Sequence, residues 1–99
     1  MTIIRKFIDR VDEELDDAQH YAEKYIECKA KGHGDAAGKY HAMSEDELKH
    51  AGWLHEMAAA EIGELDKVFR PTEDQRRTWE QSNARYADSA AWVKQMLAM

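Results

Sequence analysis

Apolar residues in the first third of the chain recur at Ile4, Phe7, Val11, Ala18, Tyr21, Tyr25 and Cys28, in steps of three, four and seven. That is the period of an α-helix. Ile8, Leu15, Ala22 and Ile26 widen the stripe on one side, and Asp9, Asp12, Asp16, Glu23 and Glu27 form a wet side. The pattern predicts a helix over about residues 2–31, stopped at Lys31-Gly32-His33-Gly34, where two glycines flank one residue. Asp35 is placed to cap the next helix. A second helix is predicted over about 35–69, with Tyr40, Met43, Leu54, Met57, Ala58, Leu65 and Val68 on its stripe. Gly38, Gly52 and Gly63 lie inside it, each costing about 1 kcal/mol relative to Ala. Gly52, beside Ala51, either lets a neighbouring helix approach closely or is a tolerated defect. Arg70-Pro71 ends the pattern, because proline cannot extend the helical ladder and disfavours a helical residue before it. Thr72-Glu73-Asp74-Gln75 then reads as a capping box. It opens a third helix over about 72–97, with Trp79, Tyr86, Ala90, Val93 and Leu97 on one face and Trp92 and Met96 extending it. The short first connection makes helices one and two antiparallel neighbours. The expected fold is all-α: one domain over residues 1–99, a long antiparallel hairpin plus a third helix.

Composition narrows the function classes. The chain has 99 residues, 34% of them charged, with one proline and one cysteine, and a mean hydropathy of -0.80. Its net charge is -6, with the acids spread along the chain. No basic patch is present, which argues against a nucleic-acid partner. No apolar run approaches the length of a signal peptide or membrane span, so no membrane partner is expected and a cytoplasmic location is. A lone Cys28 excludes an intrachain disulfide framework and a thiolate zinc site.

The candidate chemistry sits on the stripes themselves. Each helical residue turns about 100°, so Glu47 lines up with Tyr40, Leu54, Ala58 and Leu65, and His50 lies one turn further on, between Met43 and Met57. Glu14 shares its stripe with Val11 and Ala18, and Tyr21 follows it by seven residues. A carboxylate within an apolar stripe is costly unless paired, protonated or bound to metal. The depths agree as well. Glu14 lies 19 residues before His33, and Glu47 and His50 lie 14 and 17 after it, so antiparallel helices bring the three to similar heights. Glu-x-x-His places both side chains on neighbouring positions of one helix face. Oxygen and imidazole donors without thiolate suit iron or manganese, and zinc would also be accepted.

Glu14, Tyr21, Glu47 and His50 together resemble the half-site of the ferritin-like superfamily, bacterioferritin in particular, over about residues 1–69. In that family one helix gives a Glu with a Tyr seven residues later, and the next gives Glu-x-x-His. The resemblance implies Glu14 and His50 as terminal ligands of one iron, Glu47 as a bridging ligand, and Tyr21 as a hydrogen-bond donor behind them. Bacterioferritin carries four long helices and a second ligand set. Here the third helix offers only Glu80 and Asp88. The short hairpin is more similar to encapsulated ferritins, which build the diiron site at a dimer interface. Two copies would supply four Glu and two His, the full set of a ferritin-like four-helix bundle. The implied protein is a homodimer or higher homo-oligomer with two Fe per dimer, oxidising Fe(II) with dioxygen or peroxide. Packaging within a shell protein is compatible with this reading.

Two other readings stay open. One is a non-enzymatic helical dimerisation module, in which Glu14, Glu47 and His50 form a metal-free network that fixes helix register. The other is a structural metal clamp. His20 with Asp17 and Glu13 has metal-like spacing but points away from the stripe and reads as a surface cluster. Asp17, Glu13 and Asp46 read as a solvated face rather than a route for cations. His41 and His55 lie on the flank of helix two, where a core or interface histidine is the default and His55 is also placed to support the ligands from behind, and His33 falls in the turn. Trp53, Trp79 and Trp92 read as packing or interface anchors. Met43 and Met57 read as core filling rather than haem ligands. Cys28 reads as a small buried residue.

Overall fold

The computed structural model describes residues 2–68 and 70–99 and consists of three α-helices: α1 (Thr2–Ala30), α2 (Gly34–Asp66) and α3 (Glu73–Leu97). No strand occurs among the described residues. The molecule is a rod of 55 × 17 × 17 Å, with α2 alone accounting for about 50 Å at about 1.5 Å per residue.

The first turn is closed by a C-terminal cap of the Schellman type. Gly32 adopts φ 75°, the left-handed conformation that only glycine enters without strain. Its N–H donates to Lys29 O (3.1 Å) and that of His33 to Cys28 O (2.9 Å), satisfying carbonyls left over at the end of α1. Asp35 does not cap α2 as expected. The helix starts one residue earlier, at Gly34, with His33 in the cap position and no side-chain cap bond. Asp35 instead lies in the first turn, where its charge favours the positive end of the helix dipole.

α2 ends at Asp66, short of the expected 69; Phe69 lies outside the described residues. Its last bonds tighten onto nearer carbonyls, with Val68 N–H donating to Leu65 O at 3.1 Å, as the chain turns toward Pro71. The capping box forms as expected: Gln75 N–H donates to Thr72 Oγ1 (3.2 Å), and Thr72 N–H donates to Gln75 Oε1 (2.9 Å).

α3 runs parallel to α1 and antiparallel to α2. Asp74 and Thr78 lie beside Ile4 and Ile8, Arg85 pairs with Asp12, and Lys29 Nζ donates to Met99 O at 2.6 Å. Two clusters form the core. Val11, Leu15, Ala51 and Ala90 pack with Leu48, Leu54 and Tyr86, and Ala18, Ala22, Val93 and Met96 pack with Ile26, Leu48 and Leu97.

This arrangement divides the apolar stripe of α1. Ile4, Ile8, Val11, Leu15, Ala18 and Ala22 are buried, whereas Phe7, Tyr21, Tyr25 and Cys28 are only half-buried. On α2 the buried seam is Ala37, Ser44, Ala51 and Ala58, a seven-residue repeat of small side chains. Of the large residues expected on that stripe, Met43, Met57 and Val68 are exposed, and Tyr40, Leu54 and Leu65 are half-buried. The small seam lets the hairpin close tightly, and the Ser44 hydroxyl reaches across it to donate to Ala18 O at 2.7 Å. Gly52 has a specific neighbour. A Cβ there would lie 3.3 Å from the Tyr86 hydroxyl, so the glycine makes room for a side chain of α3.

Candidate metal centre

With α3 occupying one side of the hairpin, the opposite side of α1 and α2 faces outward. It carries Arg10 and Glu14 from α1, and His50, Trp53, Leu54 and Met57 from α2, around an open depression of about 250 Å³. Glu47 sits one helical turn from His50. The hairpin register brings Glu14, Glu47 and His50 together as the sequence pattern anticipated. One donor atom from each lies within 4.8 Å of the others, and this is the one such group of three among the described residues.

His50 Nδ1 faces both carboxylates, at 3.7 Å from Glu14 Oε2 and 4.0 Å from Glu47 Oε2. The Glu14 and Glu47 side chains are 15% and 21% exposed, and that of His50 47%. The inner carboxylates are therefore mostly shielded while the imidazole forms the open edge. Donors around one first-row ion at about 2.1 Å lie roughly 3 Å apart when adjacent and about 4.2 Å when opposite. The His50 separations of 3.7 and 4.0 Å fall within that range, and the three donors together span up to 4.8 Å. The donor set of two carboxylates and one imidazole fits iron, manganese or zinc.

No family model, curated protein or solved structure matches the chain. The functional reading therefore rests on the site itself.

Tyr21 lies on the same outward side, but its ring packs on Tyr40 (6.2 Å between centroids, 27° between planes) and against His20 (5.8 Å). Among the described residues no hydrogen bond joins it to Glu14, Glu47 or His50. His20, Asp17 and Glu13 are exposed and do not converge, and Asp46 is exposed too. His55 turns away from the centre and serves α3. Its ring stacks on Tyr86 (4.3 Å, 7°) and Trp79 (5.4 Å, 17°), and its Nε2 lies 2.5 Å from Asn83 Oδ1. His41 also binds α3, with Nε2 3.1 Å from Leu97 O and Nδ1 2.8 Å from Glu45. His33 is exposed in the turn, and Cys28 is half-buried rather than buried.

Arg10 escaped the sequence reading, and Trp53, read from sequence as a packing or interface anchor, was not placed beside His50. Trp53 is 59% exposed, and its ring lies 5.8 Å from that of His50; the spacing of three along α2 was the available signal. Arg10 places Nη2 3.7 Å from Glu14 Oε1, and its signal was the spacing of four from Glu14.

Proposed function

We propose that this chain is half of a diiron carboxylate protein, completed by a second copy, and that it oxidises Fe(II) to Fe(III). The observation that carries the reading is the convergence of Glu14, Glu47 and His50 on the side of the hairpin that α3 leaves open. That side also exposes Met43, Trp53 and Met57, large apolar groups of the kind that become buried in subunit interfaces. A symmetric pair would bring four Glu and two His to one centre, the donor set of ferritin-like diiron sites.

In this reading Glu14 and His50 would be terminal ligands of one iron and Glu47 would supply the bridging carboxylate; Tyr21, whose ring packs on Tyr40, would have to turn from that stack to donate a hydrogen bond to them. The carboxylates offset the charge that Fe(II) gains on oxidation, and the apolar rim excludes bulk water. Two Fe(II) ions release two electrons, enough with two protons to reduce dioxygen to hydrogen peroxide or peroxide to water.

The close approach of His50 to Glu14 also suits the metal-free alternative, a helical module whose ionic network fixes register. Anaerobic Fe(II) loading with native mass spectrometry separates the two. The diiron reading expects about one iron per chain in a dimer, lost in the Glu47→Ala/His50→Ala double variant, and oxygen consumption by the loaded protein. An intact dimer without iron would leave the interaction module. Loss of stability with chelator, and no oxygen consumption with Fe(II), would identify a structural clamp.

A further inference from the structure

The metal centre carries its own cation. Arg10 sits on the exposed side of α1 and forks between consecutive carboxylates: its Nε lies 3.7 Å from Glu13 Oε2 and its Nη2 lies 3.7 Å from Glu14 Oε1. The two partners differ in setting. Glu13 is 69% exposed and Glu14 only 15%. Glu14 is divided in turn, one oxygen toward Arg10 and the other toward His50. At 3.7 Å both Arg10 contacts are ion pairs rather than close hydrogen bonds, so the guanidinium is held loosely and shared evenly.

Resting on the diiron-carboxylate reading above, we infer that Arg10 is a built-in counter-cation of Glu14, which an incoming divalent ion displaces from Glu14 onto Glu13. Without metal, Glu14 and Glu47 stand side by side and the guanidinium compensates part of their charge. A divalent ion on Glu14 supplies that compensation itself and repels the guanidinium, since like charges a few ångströms apart in a partly shielded site repel strongly. Glu13 is already in contact, so Arg10 moves by a change of rotamer without losing an ionic partner. Arg10 therefore opposes metal entry, and Glu13 assists it by drawing Arg10 off. Fluctuation of Arg10 between the two partners sets how readily the centre fills.

The test is Mn(II) binding by the full chain, with Mn(II) as a redox-silent probe and free Mn(II) read by electron paramagnetic resonance. Arg10→Gln tightens Mn(II) binding about twofold to fivefold, the scale of a partly exposed ion pair. Glu13→Gln weakens it about twofold to fivefold on the same scale. The two effects are coupled: in the Arg10→Gln background, Glu13→Gln changes affinity by less than about twofold. Arg10→Lys keeps the charge and stays close to the wild type. Helical circular dichroism and melting confirm that each variant is folded, as expected for substitutions on an exposed helix side.

Unchanged or weaker Mn(II) binding in Arg10→Gln overturns the inference, as does an equal effect of Glu13→Gln in both backgrounds. Binding by Arg10→Gln but not by the wild type supports it. Binding by neither overturns the metal-site reading itself, and this inference with it.

Discussion

Glu47→Gln separates a metal centre from a register-fixing network without adding iron. In the metal-free protein the Glu14 and Glu47 carboxylates come within 4.8 Å, where two unit charges repel by about 0.9 kcal/mol in bulk water and about 3.5 kcal/mol at an effective dielectric of 20. Their 15% and 21% exposure places them between those limits, and Arg10 beside Glu14 offsets part of the repulsion. Glu47 is the cleaner position to alter, because Arg10 pairs with Glu14 and not with it. Its contact in the cluster is His50 at 4.0 Å, longer than a hydrogen bond. A net stabilisation of about 1 kcal/mol is expected for Glu47→Gln in chelator. The assay is urea unfolding at fixed chain concentration in mildly alkaline buffer, with chelator and then with excess Mn(II). The expected pattern is a crossover: the variant unfolds at higher urea than the wild type in chelator and at lower urea with Mn(II), because only the wild type gains binding energy on folding. A variant destabilised in chelator and insensitive to Mn(II) would refute the reasoning, since loss of stability on removing one partner is the mark of an ionic network.

Two buried serines should respond oppositely to truncation. Ser44→Ala loses the 2.7 Å bond to Ala18 O and should cost about 1 kcal/mol, whereas Ser82, buried with no partner for its hydroxyl among the described residues, should gain up to about 1 kcal/mol as Ala; urea titrations measure both. Gly38→Ala and Gly63→Ala meet open space and should each stabilise α2 by about 0.5–1 kcal/mol. Gly52→Ala should give less, because Tyr86, pinned by its stack on His55, must move. At the far end of α1, Lys31 and then Lys24 hold the Glu27 carboxyl below its ordinary pKa. A depressed carboxyl favours the folded state above its unfolded pKa and loses that effect as pH falls through the lowered value; Lys31→Gln should raise the Glu27 midpoint in an NMR titration.

The sequence disclosed the features whose causes are local. Gly32 was legible as a helix stop because a left-handed residue is needed there, and Thr72 with Gln75 because a capping box spans four residues. Glu14, Glu47 and His50 were legible because helical period and hairpin register together fix their height and side. The choice of covered face was harder to read. Both halves of the α1 stripe are apolar, and only the docking of α3 decides that Ile8, Leu15 and Ala22 are enclosed while Phe7 and Tyr21 are half-open. On α2 the seam consists of Ala37, Ser44, Ala51 and Ala58, whose small side chains give a weaker hydrophobic signal than the exposed Met43, Met57 and Val68. Arg10 was missed for a related reason, since an arginine on the polar flank of a helix looks like any solvated charge until its neighbour proves to be mostly enclosed.

Two unusual features of the molecule lie on the same side. Met43, Trp53 and Met57 are exposed although buried positions would suit them better, and two mostly shielded carboxylates stand close together at the edge of an open depression. Either feature alone has an ordinary explanation, since single exposed apolar residues and acidic pairs are both common on helical proteins. Their coincidence is more demanding. A partner that covered the apolar rim without bringing positive charge would remove the remaining water from Glu14 and Glu47 and raise their repulsion, whereas a cation alone would leave the tryptophan and methionines exposed. A second copy with divalent ions between the two meets both requirements together. It follows that dimerisation and metal binding should be thermodynamically coupled: Mn(II) should lower the dimer dissociation constant of the wild type, and dilution below that constant should release the metal. Sedimentation equilibrium across a Mn(II) series measures the coupling, and a dissociation constant indifferent to Mn(II) would show that the two features have separate causes.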